Sequence, residues 1–222
     1  MTGSSTLPRY ATRLIGRAQS TGALSELLLR PDIRLVTMIG ASGTGKTRLG
    51  LQVAETLGEH FCDGQYFVAL ASVTNPRFVM PAVAQALEVK EGGRVGLQAS
   101  VAERLNSQKV LLILDNFEQV RAAAGMVEGL LEQTSDVKIL VTSQMALGSD
   151  REHIFEVPPL AYPGPGEEVA PERLLDYSAV ALFVDRLQTV QPRFRLTAEH
   201  ARPIIEICRL VQGLPLAIEL IA

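Results

Sequence analysis

Leu35-Val36-Thr37-Met38-Ile39-Gly40-Ala41-Ser42-Gly43-Thr44-Gly45-Lys46-Thr47 is the stretch on which the fold turns. Its first five residues form a short apolar run that reads as a buried strand. Its last eight match G-x-x-x-x-G-K-[ST]. The glycines let the backbone curl so that several N–H groups face one point, with no side chain blocking an anion from approaching. A helix predicted over 46–57, with Leu49, Val53 and Leu57 at helical spacing, aims its N-terminal N–H groups and positive dipole end at that point. Lys46 supplies charge for the β and γ phosphates, and the Thr47 hydroxyl is a ligand for Mg²⁺. The implied ligand is a purine nucleotide, ATP or ADP with Mg²⁺. The phosphate-contacting set is Gly40, Gly43, Thr44, Gly45, Lys46 and Thr47, with Arg48 adjoining.

Outward from this stretch, apolar runs alternate with helical patterns. Further strands are predicted over 65–70, 110–115, 137–141 and 154–157. Helices are predicted over 23–29, 77–87, 99–105 and 118–131, with the loop Glu91-Gly92-Gly93 between the second and third. Apolar strands alternating with helices imply a parallel sheet covered on both faces. After Pro163-Gly164-Pro165-Gly166, a linker signal, only helices are predicted: 178–190, 198–211 and one after Gly213. The expected organisation is therefore a flexible N-terminus over 1–12, a phosphate-loop domain over 13–165 and a small helical domain over 166–222.

Asp115 ends the run Val110-Leu111-Leu112-Ile113-Leu114. Ligands of parallel sheets sit at the carboxyl ends of strands, so a carboxylate there is placed to hold Mg²⁺ through water. The alternative is an ordinary strand-end Asp that caps the next helix. Beside a phosphate loop the metal role is favoured, with Thr47 and Asp115 as the metal pair. Glu118 is a third candidate, either orienting water or favouring a helix start.

Composition narrows the rest. The chain has 222 residues, 47% hydrophobic and 20% charged, with a net charge of −3 and no block of like charge. Nothing in it suggests a nucleic-acid tail or a basic membrane surface. Met1–Pro8 lacks the apolar core of a signal peptide, and no apolar run reaches membrane-spanning length. The expected compartment is the cytoplasm. Cys62 and Cys208 match no metal or redox spacing and read as two buried thiols.

These residues resemble the NB-ARC type of signal-transduction ATPase, the nucleotide-binding module of large bacterial transcription regulators, over about Leu14 to Ala222. Leu14-Ile15-Gly16-Arg17 looks like the family's opening motif, whose backbone brackets the adenine. Leu112 to Glu118 looks like its Walker B segment, Ile139 to Ser143 like its sensor-1 strand, and Gly213-Leu214-Pro215-Leu216-Ala217 like its GLPLA motif, where the proline packs near the adenine. The resemblance implies a five-stranded parallel sheet in the order 5-1-4-3-2, followed by a small helical lid. It implies Leu14, Ile15, Arg17 and Pro215 as further nucleotide contacts and Gln144 as the residue at the sensor position. It also implies partners: a winged helix and a repeat sensor in a longer chain, of which this sequence reads as a core fragment, and self-association on activation.

Three positions depart from the family pattern. Ser20 stands where a Glu is usual, Gln144 where sensor 1 usually has Arg, and Asn116 where many members have a second acid. Binding survives these changes, whereas hydrolysis is expected to be slow or impaired, leaving Lys46, Asp115 and Glu118 as its candidate catalytic groups. The leading reading is an ATP/ADP-controlled switch. The alternatives are a nucleotide-dependent small-molecule kinase, which His60, His153 and His200 do little to support because they are scattered, and a scaffold that holds nucleotide only structurally. No Asn-Lys-x-Asp guanine signature is present.

Overall fold

A computed structural model of the protein describes residues 4, 5, 7–90, 96–167 and 169–222. The loop Glu91-Gly92-Gly93, and Met1–Gly3 and Thr6 of the N-terminal stretch, lie outside the described residues. The chain forms two compact units. The first holds Met1–Ala11, Ser20–Gly40 and Lys46–Glu156; the second holds Thr12–Gln19, Ala41–Gly45 and Val157–Ala222.

The first unit is built on five parallel strands: β1 (Leu35–Ile39), β2 (Gly64–Ala69), β3 (Val110–Asp115), β4 (Lys138–Ser143) and β5 (Glu152–Glu156). Their order is 5-1-4-3-2, with the phosphate-loop strand β1 between β4 and β5. A two-residue strand, Ser4–Ser5, adds to the far edge along β2. Every residue of β3 and β4 is buried, as expected where helices cover both faces of a parallel sheet. The core runs from Leu112, Leu114 and Ile139 outward to Val83, Val101 and Leu130 on the covering helices.

Those helices are α1 (Ala18–Leu29), α2 (Lys46–Thr56), α3 (Val79–Ala86), α4 (Leu97–Leu105) and α5 (Ala124–Glu132). Four of these elements differ from the sequence-based expectation, each for a physical reason. Helix α1 starts five residues before the predicted Ala23, because Ser20, Thr21 and Gly22 are weak helix formers that hide its first turns. The stretch predicted as a helix over 77–87 opens as a 3₁₀ turn, Pro76–Phe78, with Asn75 Oδ1 accepting from the Arg77 N–H at 3.0 Å. The stretch predicted over 118–131 is broken as well. Phe117–Ala123 is 3₁₀, with a non-helical Val120 (φ −121°, ψ 27°), and α5 follows. A 3₁₀ turn places residues i and i+3 on one face, which sinks both Phe117 and Val120 into the core.

Strand β5 is the fourth. It begins at Glu152, before the apolar signal at Ile154, and it is largely exposed rather than buried. Glu152 fixes the turn before it by accepting from the backbone N–H groups of Leu147 (2.9 Å) and Gly148 (3.0 Å). As an edge strand it needs no continuous apolar run. The thiols also divide: Cys208 is buried, but Cys62 is exposed, in the turn between α2 and β2, against the expectation that both are covered. Burial pushes the Cys208 thiol up to about 11, so it packs as a small apolar group.

The second unit carries α6 (Ser178–Val190), α7 (Ala198–Leu210) and α8 (Pro215–Ile221), with a 3₁₀ turn at Pro171–Asp176. Leu174, Val180, Phe183, Ile204, Cys208 and Ile218 form its core. Helix α7 is stopped by Gly213 at φ +66°, whose N–H reaches Cys208 O (2.9 Å) and whose carbonyl accepts from Leu160 N (2.8 Å). A Cβ at Gly213 would stand 2.1 Å from Leu160 O, a backbone atom. Gly213→Ala is therefore expected to lower the stability of this unit by about 2–4 kcal/mol, from left-handed strain plus the clash. Urea unfolding followed by circular dichroism measures it, and an unchanged midpoint would contradict the packing described.

Candidate functional site

The phosphate loop runs from the end of β1 to the start of α2. Gly43 (φ +81°) and Gly45 (φ +87°) take left-handed conformations, which makes glycine necessary at both. The Thr44 side chain folds onto the loop itself, its hydroxyl donating to Ala41 O at 2.9 Å. In the second unit, which includes the loop tip Ala41–Gly45, two further bonds hold that tip. Arg17 Nη2 donates to Thr44 O at 2.8 Å, and Leu216 N, at the start of α8, donates to Gly43 O at 3.2 Å. Arg17 is only 5% exposed, and burial lowers its pKa from the ordinary arginine value. Its guanidinium thus serves the loop backbone. Leu14 and Ile15 are half-buried in the same unit, Ile15 against the helical core, and Pro215 opens α8 there.

In the first unit, the carboxyl ends of β3 and β4 meet the start of α2. Thr47 Oγ1 donates to Asp115 Oδ1 at 2.7 Å. Thr142 Oγ1 donates to the same oxygen at 2.7 Å, and in turn accepts from the Asn116 N–H at 2.9 Å. Asp115 is buried, and these bonds fix its orientation. Lys46 Nζ donates to Gly40 O at 2.8 Å, so the ammonium lies across the base of the loop. Burial lowers the Lys46 pKa, and the negative charges of Glu118 and Asp115 partly oppose that shift. Glu118 Oε1 lies 3.4 Å from both Asn116 Nδ2 and Gln144 Nε2.

Lys46, Thr47, Asp115, Glu118 and Gln144 are thus brought together within one unit. The Arg48 guanidinium stacks on the Tyr10 ring, 5.0 Å from the centroid. His60, His153 and His200 are all exposed. Sequence reasoning missed Thr142 as a site residue. Its signal was present: β3 and β4 pair with Leu114 opposite Val141, so the next residues, Asp115 and Thr142, lie side by side near the carboxyl ends of adjacent strands. A hydroxyl near the end of an apolar strand beside a strand-end carboxylate is a candidate partner for it.

A hydroxyl and a carboxylate oxygen 2.7 Å apart form a hard-oxygen pair suited to Mg²⁺, which takes few protein ligands and completes its shell with substrate phosphates and water. The residues present fit that ion.

An uncharacterized Mycobacterium tuberculosis protein is 34% identical over 215 residues, which cover 96% of this chain and 51% of that protein. A second protein of that organism, described as a putative HTH-type transcriptional regulator, is 34% identical over 190 residues, covering 85% of this chain and 20% of its own length. The chain therefore spans about half of one relative and a fifth of the other. Among solved structures, a Signal Transduction ATPase with Numerous Domains (STAND) from Pyrococcus horikoshii, with a tetratricopeptide repeat sensor, shares the fold with a TM-score of 0.51 at 15% identity, covering 94% of this chain and 29% of that one. The family model for an AAA domain matches residues 32–147, from just before β1 to just past β4 and so across the whole phosphate and carboxylate apparatus, and on that match the chain belongs to the AAA domain family.

Proposed function

We propose that this chain is the ATP/ADP switch of a larger signalling or transcription regulator, of the NB-ARC type. The observation that carries the reading is the Thr47–Asp115 contact at 2.7 Å beside the Lys46 ammonium. Phosphates approach the N–H groups of the loop and of the α2 N-terminus, and Lys46 exchanges its bond to Gly40 O for phosphate oxygens. Mg²⁺, held by Thr47 and Asp115, supplies charge neutralisation between the β and γ phosphates. The loop residues Gly40, Gly43, Thr44 and Gly45 provide backbone contacts, with Leu14, Ile15, Arg17, Arg48, Gln144 and Pro215 as the further nucleotide-facing set. ATP and ADP shift the protein between states only by their differential affinity for them.

In this reading residues 13–165 are the nucleotide-binding domain, 166–222 the ARC-type helical domain, and 1–12 a flexible lead. The lengths of the two mycobacterial relatives support further domains in the full protein, and the name of the second supports a role in transcription. A winged helix and a repeat sensor would be those domains, with self-association on activation. The segment itself contacts neither nucleic acid nor membrane. Its net charge is −3, and among the described residues no helix is long and apolar enough to cross a membrane. The compartment proposed is the cytoplasm.

Lys46→Ala is expected to cost a charge-assisted contact of about 1.5–3 kcal/mol and so weaken ATP and ADP binding by roughly 10- to 150-fold, with the fold retained. Calorimetric titration of the folded variant decides it, and near-normal affinity would end the assignment. Hydrolysis should be slow, on the order of one event per minute or less, because no arginine occupies the sensor position and Asn116 carries no charge. Single-turnover decay of labelled ATP measures this, and a rate of several per second would contradict it.

A further inference from the structure

Tyr10 precedes α1 and belongs to none of the motifs. It is 52% exposed, and its ring lies over the Arg48 guanidinium at 5.0 Å from the centroid, both residues being in the first unit. Arg48 is the third residue of α2 and follows Thr47 directly. Side chains of a helix lean towards its N-terminus, so a half-buried arginine at this place reaches back towards the end that carries Lys46 and Thr47. Through Arg48 the Tyr10 ring is thus tied to the phosphate-binding end of α2. A cation covers one part of the ring, and more than half of the residue is open to solvent.

The nucleotide reading leaves one part of the ligand without a matching surface. Backbone N–H groups, Lys46 and the divalent cation all act on phosphates. None of Leu14, Ile15, Arg17, Arg48, Gln144 and Pro215, the further nucleotide-facing set, is aromatic. A nucleobase presents a flat π-face, and an exposed aromatic ring backed by an arginine is a stacking platform for it.

We propose that Tyr10 is the stacking platform for the purine base of ATP and ADP, with one face of its ring on the base and the other on Arg48. This rests on the nucleotide reading given above. The 1–12 lead then has a function, because bound nucleotide ties it to α2. Stacking senses the base and not the number of phosphates, so ATP and ADP gain equally from Tyr10. The competing reading is that Tyr10 only holds the Arg48 side chain in place. Loss of the ring would then disturb the phosphate end of α2, and a polyphosphate without a base would suffer as much as ATP.

The test uses the 222-residue chain with Mg²⁺, the variants Tyr10→Ala and Tyr10→Phe, and three probes: ATP, ADP and inorganic tripolyphosphate, which has no base. Tyr10 is exposed, so both variants keep the fold. Calorimetric affinity for ATP and for ADP should fall about tenfold in Tyr10→Ala, the scale of one lost base stack. In Tyr10→Phe, which keeps the ring, it should stay within about twofold of wild type. Tripolyphosphate affinity should stay within about twofold in both variants, because its contacts are those of the phosphate site. A second readout is emission: the chain has no tryptophan and 4 tyrosines, so its fluorescence is that of tyrosine. ATP should quench part of it in the wild type, and that part should be absent in Tyr10→Phe although this variant still binds. Three outcomes overturn the proposal but leave nucleotide binding standing: a loss in Tyr10→Ala below about threefold, a parallel loss for tripolyphosphate, or an unchanged quench in Tyr10→Phe. A wild-type chain that binds neither ATP nor ADP overturns both.

Discussion

Asp115 Oδ1 accepts from Thr47 and from Thr142, each at 2.7 Å, and this shared oxygen joins three segments of the chain. Thr47 begins α2, Asp115 ends β3 and Thr142 lies near the end of β4. A buried carboxylate is costly to desolvate, and the cost is offset only if donors surround it. Two hydroxyls do so here, and a third donor, the Asn116 N–H, turns the Thr142 hydroxyl towards the carboxylate by occupying its lone pair. The hydroxyl proton of Thr47 is also the one that must move aside when the oxygen pair takes a cation. In the proposed function, cation binding would therefore replace the Thr47–Asp115 bond.

That meeting depends on strand order. In the sequence 5-1-4-3-2 the phosphate-loop strand lies next to β4, and β4 next to β3. All the strands are parallel, so their carboxyl ends share one rim of the sheet. Residues far apart in the chain, such as Lys46, Asp115 and Gln144, come to one place because three strands end together there. The outer strands are free of this duty. β5 tolerates Glu152, His153 and Glu156 because it is an edge, and its exposure costs the core little.

The loop was legible because it rests on short-range chemistry, and the sheet order because the motifs resemble those of a known family. A phosphate loop must follow a strand and start a helix, and β3 announces itself as five apolar residues before an aspartate. What was hidden has a tertiary cause. The break between Phe117–Ala123 and α5 comes from Phe117 and Val120 reaching the core together, which no helical periodicity predicts. The first turns of α1 were masked by Ser20, Thr21 and Gly22, whose weak propensity is overridden once Leu24 and Leu28 are buried. Cys62 was misread because composition favours covered thiols, while the turn after α2 keeps this one at the surface. Thr142 and Glu118 needed the register and the left-handed Asn116 before their contacts could be seen.

Charge around the loop gives the departures at Asn116 and Gln144 a common sense. Lys46 is bonded to Gly40 O at the base of the phosphate loop, and it faces two carboxylates, Asp115 and Glu118. An incoming triphosphate adds further negative charge, so the side chains alone do not balance it. Backbone N–H groups, the α2 dipole and the divalent cation make up the difference, and all of these act on the β phosphate as well as the γ. An arginine at residue 144 would tip the balance towards the γ phosphate and towards turnover. A glutamine there supplies a donor without charge, and in this protein that donor is turned to Glu118. Stabilisation that does not single out the γ phosphate holds the diphosphate nearly as well as the triphosphate. In the proposed reading such a site would retain its nucleotide after hydrolysis, and slow turnover with a retained product is what a switch requires and a metabolic enzyme avoids.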